Sequence, residues 1–302
     1  MTDTGRKNAI RSLLIYFGVT FALSWGMFFA FILSGREFMD SSGNYTRISD
    51  ILCTLGMLCP AAGAIITRYI TKEGHKLSGE NSLMLGIDLK NKKYLFYLAA
   101  VLLPWVYTEL GSLLKIILNP GCFDSHYFRE VAPDERLAYI FPLMGIVSGV
   151  FFSICALGEE LGWRGYMMPQ MIKLFGTPKA IIIGGIIWGV WHWPLTYMGH
   201  NFGTDYKGYP FAGFAAMALL CIIEGAVLTF LTVKSGSVWP AAIMHAVGNT
   251  SPSILQFFIN PEKVTGVMSD SVVSFYIHFI PLLIISVGIC IIWKNSSDKA
   301  KQ

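Results

Sequence analysis

Charge is scarce in this sequence. Only 14% of its 302 residues are Asp, Glu, Lys or Arg, while 54% are hydrophobic. Soluble domains carry about 25% charged residues, so an ordinary soluble fold is excluded. The strict apolar/polar alternation of a transmembrane β-barrel is also missing. The six cysteines are scattered and form neither a CxxC pair nor a secreted disulfide framework. The zinc-protease spacing HExxH and the serine-hydrolase element GxSxG do not occur, although Ser237 follows Gly236 near a span entrance. The nine aspartates all fall in predicted loops or tails, which removes a diaspartyl site. No repeat, low-complexity tract or long linker divides the chain, and no cleavable-signal pattern opens it. A single integral membrane domain over 1–302 is expected, with no nucleic-acid partner.

Long apolar runs are abundant. They predict an all-α, polytopic transmembrane helical bundle of about eight spans: 13–33, 51–70, 94–118, 137–157, 180–198, 211–233, 238–259 and 272–293. Continuous runs of this length suit helices, because a helix satisfies its own backbone inside lipid. Of the 23 Lys and Arg, 16 fall on the side holding both tails and the 68–93, 164–179 and 234 segments. Six fall on the other side, and Lys115 lies within a span. This bias predicts both termini in the cytoplasm of a multi-pass cell-membrane protein. The basic 68–93 loop is expected to act as a topology signal, with contact to anionic membrane lipid as the alternative.

Polar residues inside the spans carry the functional signal, because lipid exposure penalises each of them. Glu159 and Glu160 close the 138–157 apolar run, with Arg164 four residues beyond Glu160. On a helix Glu160 and Arg164 share a face and pair, while Glu159 points about 100° away. His192 lies in the fifth span, four residues after Trp188; His245 lies in the seventh, four before Asn249. Each spacing again puts two side chains on one helix face. Convergence of Glu159, His192, His245 and Asn249 in one cavity is expected, nearer the cytoplasmic face. Glu224 has no partner in sequence, which suits packing or a water cavity. Glu109 and Lys115, six apart, do not pair on one helix. Gly184, Gly185 and Gly189 suit close helix packing.

Glutamate with histidine can activate a water, and an imidazole or amide can stabilise an oxyanion. The same residue types can also bind a divalent metal such as zinc. Amide hydrolysis is the natural reaction class under either alternative. Each motif also has a plainer reading: a helix-end charge cluster, a packing histidine, or an interhelical hydrogen bond.

In order and spacing, Glu159-Glu160-Leu-Gly-Trp-Arg164, Trp188-Gly-Val-Trp-His192 and His245-Ala-Val-Gly-Asn249 resemble the motifs of the CAAX-protease and bacteriocin-processing (CPBP, or Abi) family of intramembrane proteases. The likeness covers about 137–257, a four-helix catalytic core. Tryptophan at 188 replaces the family's phenylalanine and keeps an aromatic wall. The resemblance implies that Glu159 with His192 activates the hydrolytic water. His245 and Asn249 would bind the oxyanion or a metal, and Glu160 with Arg164 would orient the others. A zinc ion, if used, would take Glu159, His192 and His245, and a metal-free glutamate route is the alternative. The implied substrate is a membrane-bound or lipidated peptide, of the prenylated CAAX or the bacteriocin or pheromone kind. A non-catalytic immunity protein or scaffold is the rival reading, and a transporter ranks below it because no inverted repeat is visible.

Overall fold

The hydroxyls of Thr2 and Thr46 accept the backbone N–H of Gly5 and Ser49, three residues on, and so start the first two helices. The computed structural model describes residues 2–299 apart from 42, 75, 80, 132, 133, 135 and 252. The helices are α1 (Asp3–Leu33), α2 (Arg47–Thr71), α3 (Tyr94–Leu118), the short α4 (Tyr127–Val131) and α5 (Leu137–Glu160). A π-helical segment, Leu161–Met167, joins α5 to α6 (Met168–Phe175). Then come α7 (Thr177–Trp191), the one-turn α8 (Trp193–Tyr197), α9 (Phe211–Ser235), α10 (Trp239–Thr250) and α11 (Ser271–Lys299). The described residues form no sheet, only two isolated bridges, Met39 with Tyr45 and Phe123 with Ile259.

Among the described residues, six helices are long and apolar enough to cross a membrane. The chain is a polytopic helical membrane bundle. Large apolar side chains such as Phe151, Ile154 and Ile284 point outward, as lipid-facing positions require. Three predicted spans differ from the helices found. The fifth, expected over 180–198, is broken at His192 into the 15-residue α7 and the one-turn α8. The fourth does not stop at Leu157: one apolar helical run continues from Ile140 to Phe175. Glu159 and Glu160 therefore lie inside that run rather than at its end, which is possible because Trp188 donates to the first, and Arg164 and His245 donate to the second. The seventh is short, with α10 ending at Thr250 instead of running to 259. There Glu109 of α3 accepts the backbone N–H groups of Ile254 and Leu255 and the Ser253 hydroxyl, which stabilises a turn in place of a continued helix.

α10 packs along α5 and α3, α7 along α9, and α2 against α1, α5 and the π-helical segment. Small residues allow the close approaches. A Cβ on Gly185 would sit 2.5 Å from the Ile222 Cα, and one on Gly189 would sit 2.4 Å from the Ala218 Cα. These glycines are packing positions, as their place in the fifth span suggests.

Loops meet at two separate ends. At one, Glu73 accepts from Ser12 and Tyr166, and Val238 donates to the Met84 carbonyl. At the other, Tyr45 meets His200, Lys263 meets Asp124, and Ser271 donates to the Phe202 carbonyl. The first end carries the basic loops and the second carries the 34–46, 119–136, 198–210 and 251–270 connections.

Candidate active site

α5 delivers two adjacent carboxylates into the bundle, and the π-helical segment that follows is buried throughout. Such widened turns recur at functional sites. Glu160 is 0% exposed and Arg164 only 3%. The Arg164 Nη1 donates to the Glu160 Oε1 at 3.0 Å, so the pair expected from the spacing forms. His245 of α10 brings its Nδ1 to the same oxygen at 2.8 Å. A carboxylate oxygen accepts, so Nδ1 carries the proton and Nε2 remains as the ring's free nitrogen. The Arg164 guanidinium lies 3.9 Å over the Trp188 ring, a cation–π contact that spreads its charge over a low-dielectric wall.

Glu159 faces the other way, as the helical geometry predicts. Its Oε2 accepts the Trp188 indole N–H at 2.8 Å. The fixed angle of the indole therefore sets the carboxylate's orientation. His192, the residue that ends α7, places Nδ1 2.9 Å from the Trp188 carbonyl. A carbonyl can only accept, which assigns the proton to Nδ1 and leaves Nε2 with a lone pair in the neutral ring. Trp188 thus holds both groups, one through its side chain and one through its backbone.

Glu159, His192, His245 and Asn249 line one cavity of about 260 Å³, so the expected convergence occurs. Glu159, His192 and His245 are buried, whereas Asn249 is open to the cavity side of α10. Glu160 and Arg164 stand behind the cavity and do not line it. Besides the motif residues, the lining includes Tyr45, His200 and Asn201, which belong to the end opposite the basic loops. The cavity therefore extends from the bundle interior toward that opposite end.

Sequence reasoning gave four lining residues no place at the site. Glu224 of α9 shares the wall with the motif residues. The only signal for it was an isolated carboxylate inside a span. Tyr45, His200 and Asn201 sit in loops and carry no periodicity. The His200 ring stacks on His192 with centroids 6.0 Å apart, and its Nδ1 meets the Tyr45 hydroxyl at 2.9 Å. Burial raises the Tyr45 phenol to about 12, so it keeps its proton at neutral pH. A further histidine within a span, His278 of α11, packs against Gly111 of α3 and does not line this cavity.

The donor set does not fit a resident metal as arranged. Among the described residues no three His, Cys, Asp or Glu side chains are grouped to hold one ion. The bonds that His192 and His245 make through Nδ1, and Glu159 through one oxygen, leave each Nε2 and the other oxygen uncommitted, so the grouping and not these bonds is what argues against an ion.

Fold and cluster together define a helical membrane protein with a polar carboxylate–imidazole cavity inside its bundle. Residues 139–251 match a family model described as type II CAAX prenyl endopeptidase Rce1-like. A protein named CAAX prenyl protease 2, from Methanococcus maripaludis, is 28% identical over 263 residues, covering 84% of this chain and 89% of its own length. Both matches are to CAAX proteases, and they support that protease family for this chain.

Proposed function

We propose that this protein is an intramembrane endopeptidase that hydrolyses a peptide bond in a membrane-associated peptide. The observation that supports this most directly is Glu159, buried yet lining a cavity, with one carboxylate oxygen fixed by Trp188. Its other oxygen takes no hydrogen bond from a described residue. Beside it, His192 presents a free Nε2 lone pair.

A water held between the Glu159 carboxylate and the His192 Nε2 loses a proton to Glu159 as its oxygen attacks the scissile carbonyl carbon. The carbonyl π electrons move onto oxygen, where the Asn249 amide and a His245 ring protonated at Nε2 donate to the oxyanion. Glu159 then returns the proton to the departing nitrogen as the C–N bond breaks. Glu160 and Arg164 act at one remove: Glu160 fixes His245, and Arg164 supplies the charge that makes a buried Glu160 tolerable. No step is routed through a metal. The name of the relative from Methanococcus maripaludis suggests a prenylated CAAX peptide as substrate, and the CPBP resemblance also admits bacteriocin-like or pheromone-like peptides.

The protein reconstituted in liposomes with a library of membrane peptides should release products that Glu159→Gln does not. The rival reading, a non-catalytic immunity or scaffold protein of the same fold, expects binding without product in both. A transporter stands further off, because the polar groups converge on one cavity and do not run as a chain from end to end.

A further inference from the structure

We infer that a second cavity, between the end of α3 and the start of α11, binds a phosphate group of the kind an anionic membrane lipid carries. It shares no lining residue with the candidate active site, so the inference does not rest on the protease reading.

The cavity measures about 490 Å³, within the range of about 300–1,000 Å³ found for small-molecule sites. Its walls are built, not left over between loose loops. The Asp124 N–H donates to the Phe258 carbonyl and the Asn260 N–H to the Cys122 carbonyl, each at 2.9 Å. The Asn119 side chain donates to the Thr265 carbonyl at 3.0 Å. These bonds lace the connection after α3 to the one before α11.

The lining is chemically one-sided. Lys115 and Ser112 are three residues apart on one face of α3, and both line the cavity. Lys115 forms no ion pair among the described residues, and no Asp or Glu is part of the lining. The aspartates of the adjoining connections are committed elsewhere. Asp124 holds Lys263 at 2.6 Å, and Asp270 accepts the backbone N–H groups of Lys207, Val272 and Val273. A lysine one turn from a helix end can simply snorkel toward water. Ser112 is what that reading leaves unexplained. It is 1% exposed, and its Oγ has no hydrogen-bond partner among the described residues. Thr108, one turn earlier, instead donates to the Pro104 carbonyl. A buried hydroxyl that faces a cavity without a partner is a donor held for a ligand.

Tyr127, Gln256 and Ser274 add a phenol, an amide and a further hydroxyl, and their side chains bond no other described residue. An ammonium ringed by neutral donors suits an anion with more oxygens than a carboxylate has, and lysine binds phosphate as a point charge. The border of the site is apolar. Ile117 and Leu118 on the last turn of α3, and Val267, are exposed, while Phe257, Val264 and Met268 carry apolar surface into the cavity. Acyl chains attached to the phosphate would cover that border, and basic pockets between transmembrane helices hold anionic head groups in this way.

The full-length protein in neutral detergent, titrated with short-chain phosphatidic acid and followed by native mass spectrometry, tests this. Binding should saturate. Lys115→Met should weaken it roughly 10–100-fold, the usual contribution of a hydrogen bond to a charged group, and Ser112→Ala by a smaller factor. Lys207→Met removes an exposed lysine outside the cavity and should leave the affinity unchanged. Equal affinity in every variant, or an equal loss in every variant, overturns the inference. So does a fatty acid that binds as tightly as phosphatidic acid, because a carboxylate then suffices. Inorganic phosphate that displaces the lipid at equal concentration keeps the phosphate site and overturns the lipid as its carrier. Lys115→Arg keeps the charge and should retain binding; with Ser112→Ala it decides the question if Lys115→Met does not fold.

Discussion

Trp188 holds Glu159 through its indole N–H, a bond that phenylalanine at the same position cannot make. Its aromatic character was legible from the spacing to His192, but its donor role was not, because nothing in a linear pattern says where an indole nitrogen points. Trp188→Phe keeps the ring and removes the donor. A hydrogen bond to a charged group contributes about 1.5–3 kcal/mol, so turnover should fall by roughly 10–100-fold. The loss should appear in kcat with thermal stability nearly unchanged; an unaltered kcat would mean that Glu159 is positioned by something else. Arg164 answers to stability as well as activity. Arg164→Ala leaves Glu160 at 0% exposure without its cation, which costs about 3–5 kcal/mol for a buried pair. Denaturation in detergent should show that loss, and a variant with normal stability and full turnover would reduce the pair to an incidental contact. Glu160 and Arg164 were readable as partners because four residues is one helical turn. The His245 contact to the same oxygen was not, since it joins helices 85 residues apart in the chain.

At the level of elements, the apolar runs marked where helices form, and the charges misled about where they stop. The Glu159–Glu160 pair looked like a terminus because charge is costly in lipid; tertiary partners removed that cost, and the helix continued to Phe175. The reverse happened after α10, where Glu109 gathers backbone donors and turns the chain early. Glu109→Gln weakens that acceptor, so amides at 253–258 should exchange faster while the interior of α3 stays protected; unchanged exchange would show that the turn holds itself. The α7–α9 contact depends on glycine. Val at 185 or 189 would push side-chain atoms into the backbone of α9, at Ile222 or Ala218. Overpacking of this kind costs about 1–3 kcal/mol. Both Gly185→Val and Gly189→Val should lower the melting temperature and lose activity through His192, which ends α7. Full stability in either would mean that the two helices can separate freely.

For the whole molecule, the sequence carried the membrane class, the order of helices and four of the cavity residues. It could not show which end the cavity opens to, because that depends on loops folding together: Tyr45 and His200 are 155 residues apart and have no shared pattern. Nor could it choose between a metal and a glutamate alone, since the residue types serve both. The donor arrangement favours the glutamate route, and full activity after exhaustive chelation, with metal content measured in parallel, is expected. Loss of activity restored by stoichiometric zinc would reverse that choice. The central claim is that Glu159 activates a water for peptide hydrolysis inside the bundle. Its most direct test is mass-spectrometric identification of products from purified protein in liposomes, comparing the unaltered chain with Glu159→Gln at matched folding. The account predicts defined peptide fragments from the former and a drop of about 10²–10⁴-fold in the latter, the usual contribution of a general base. Equal product from both proteins would contradict it.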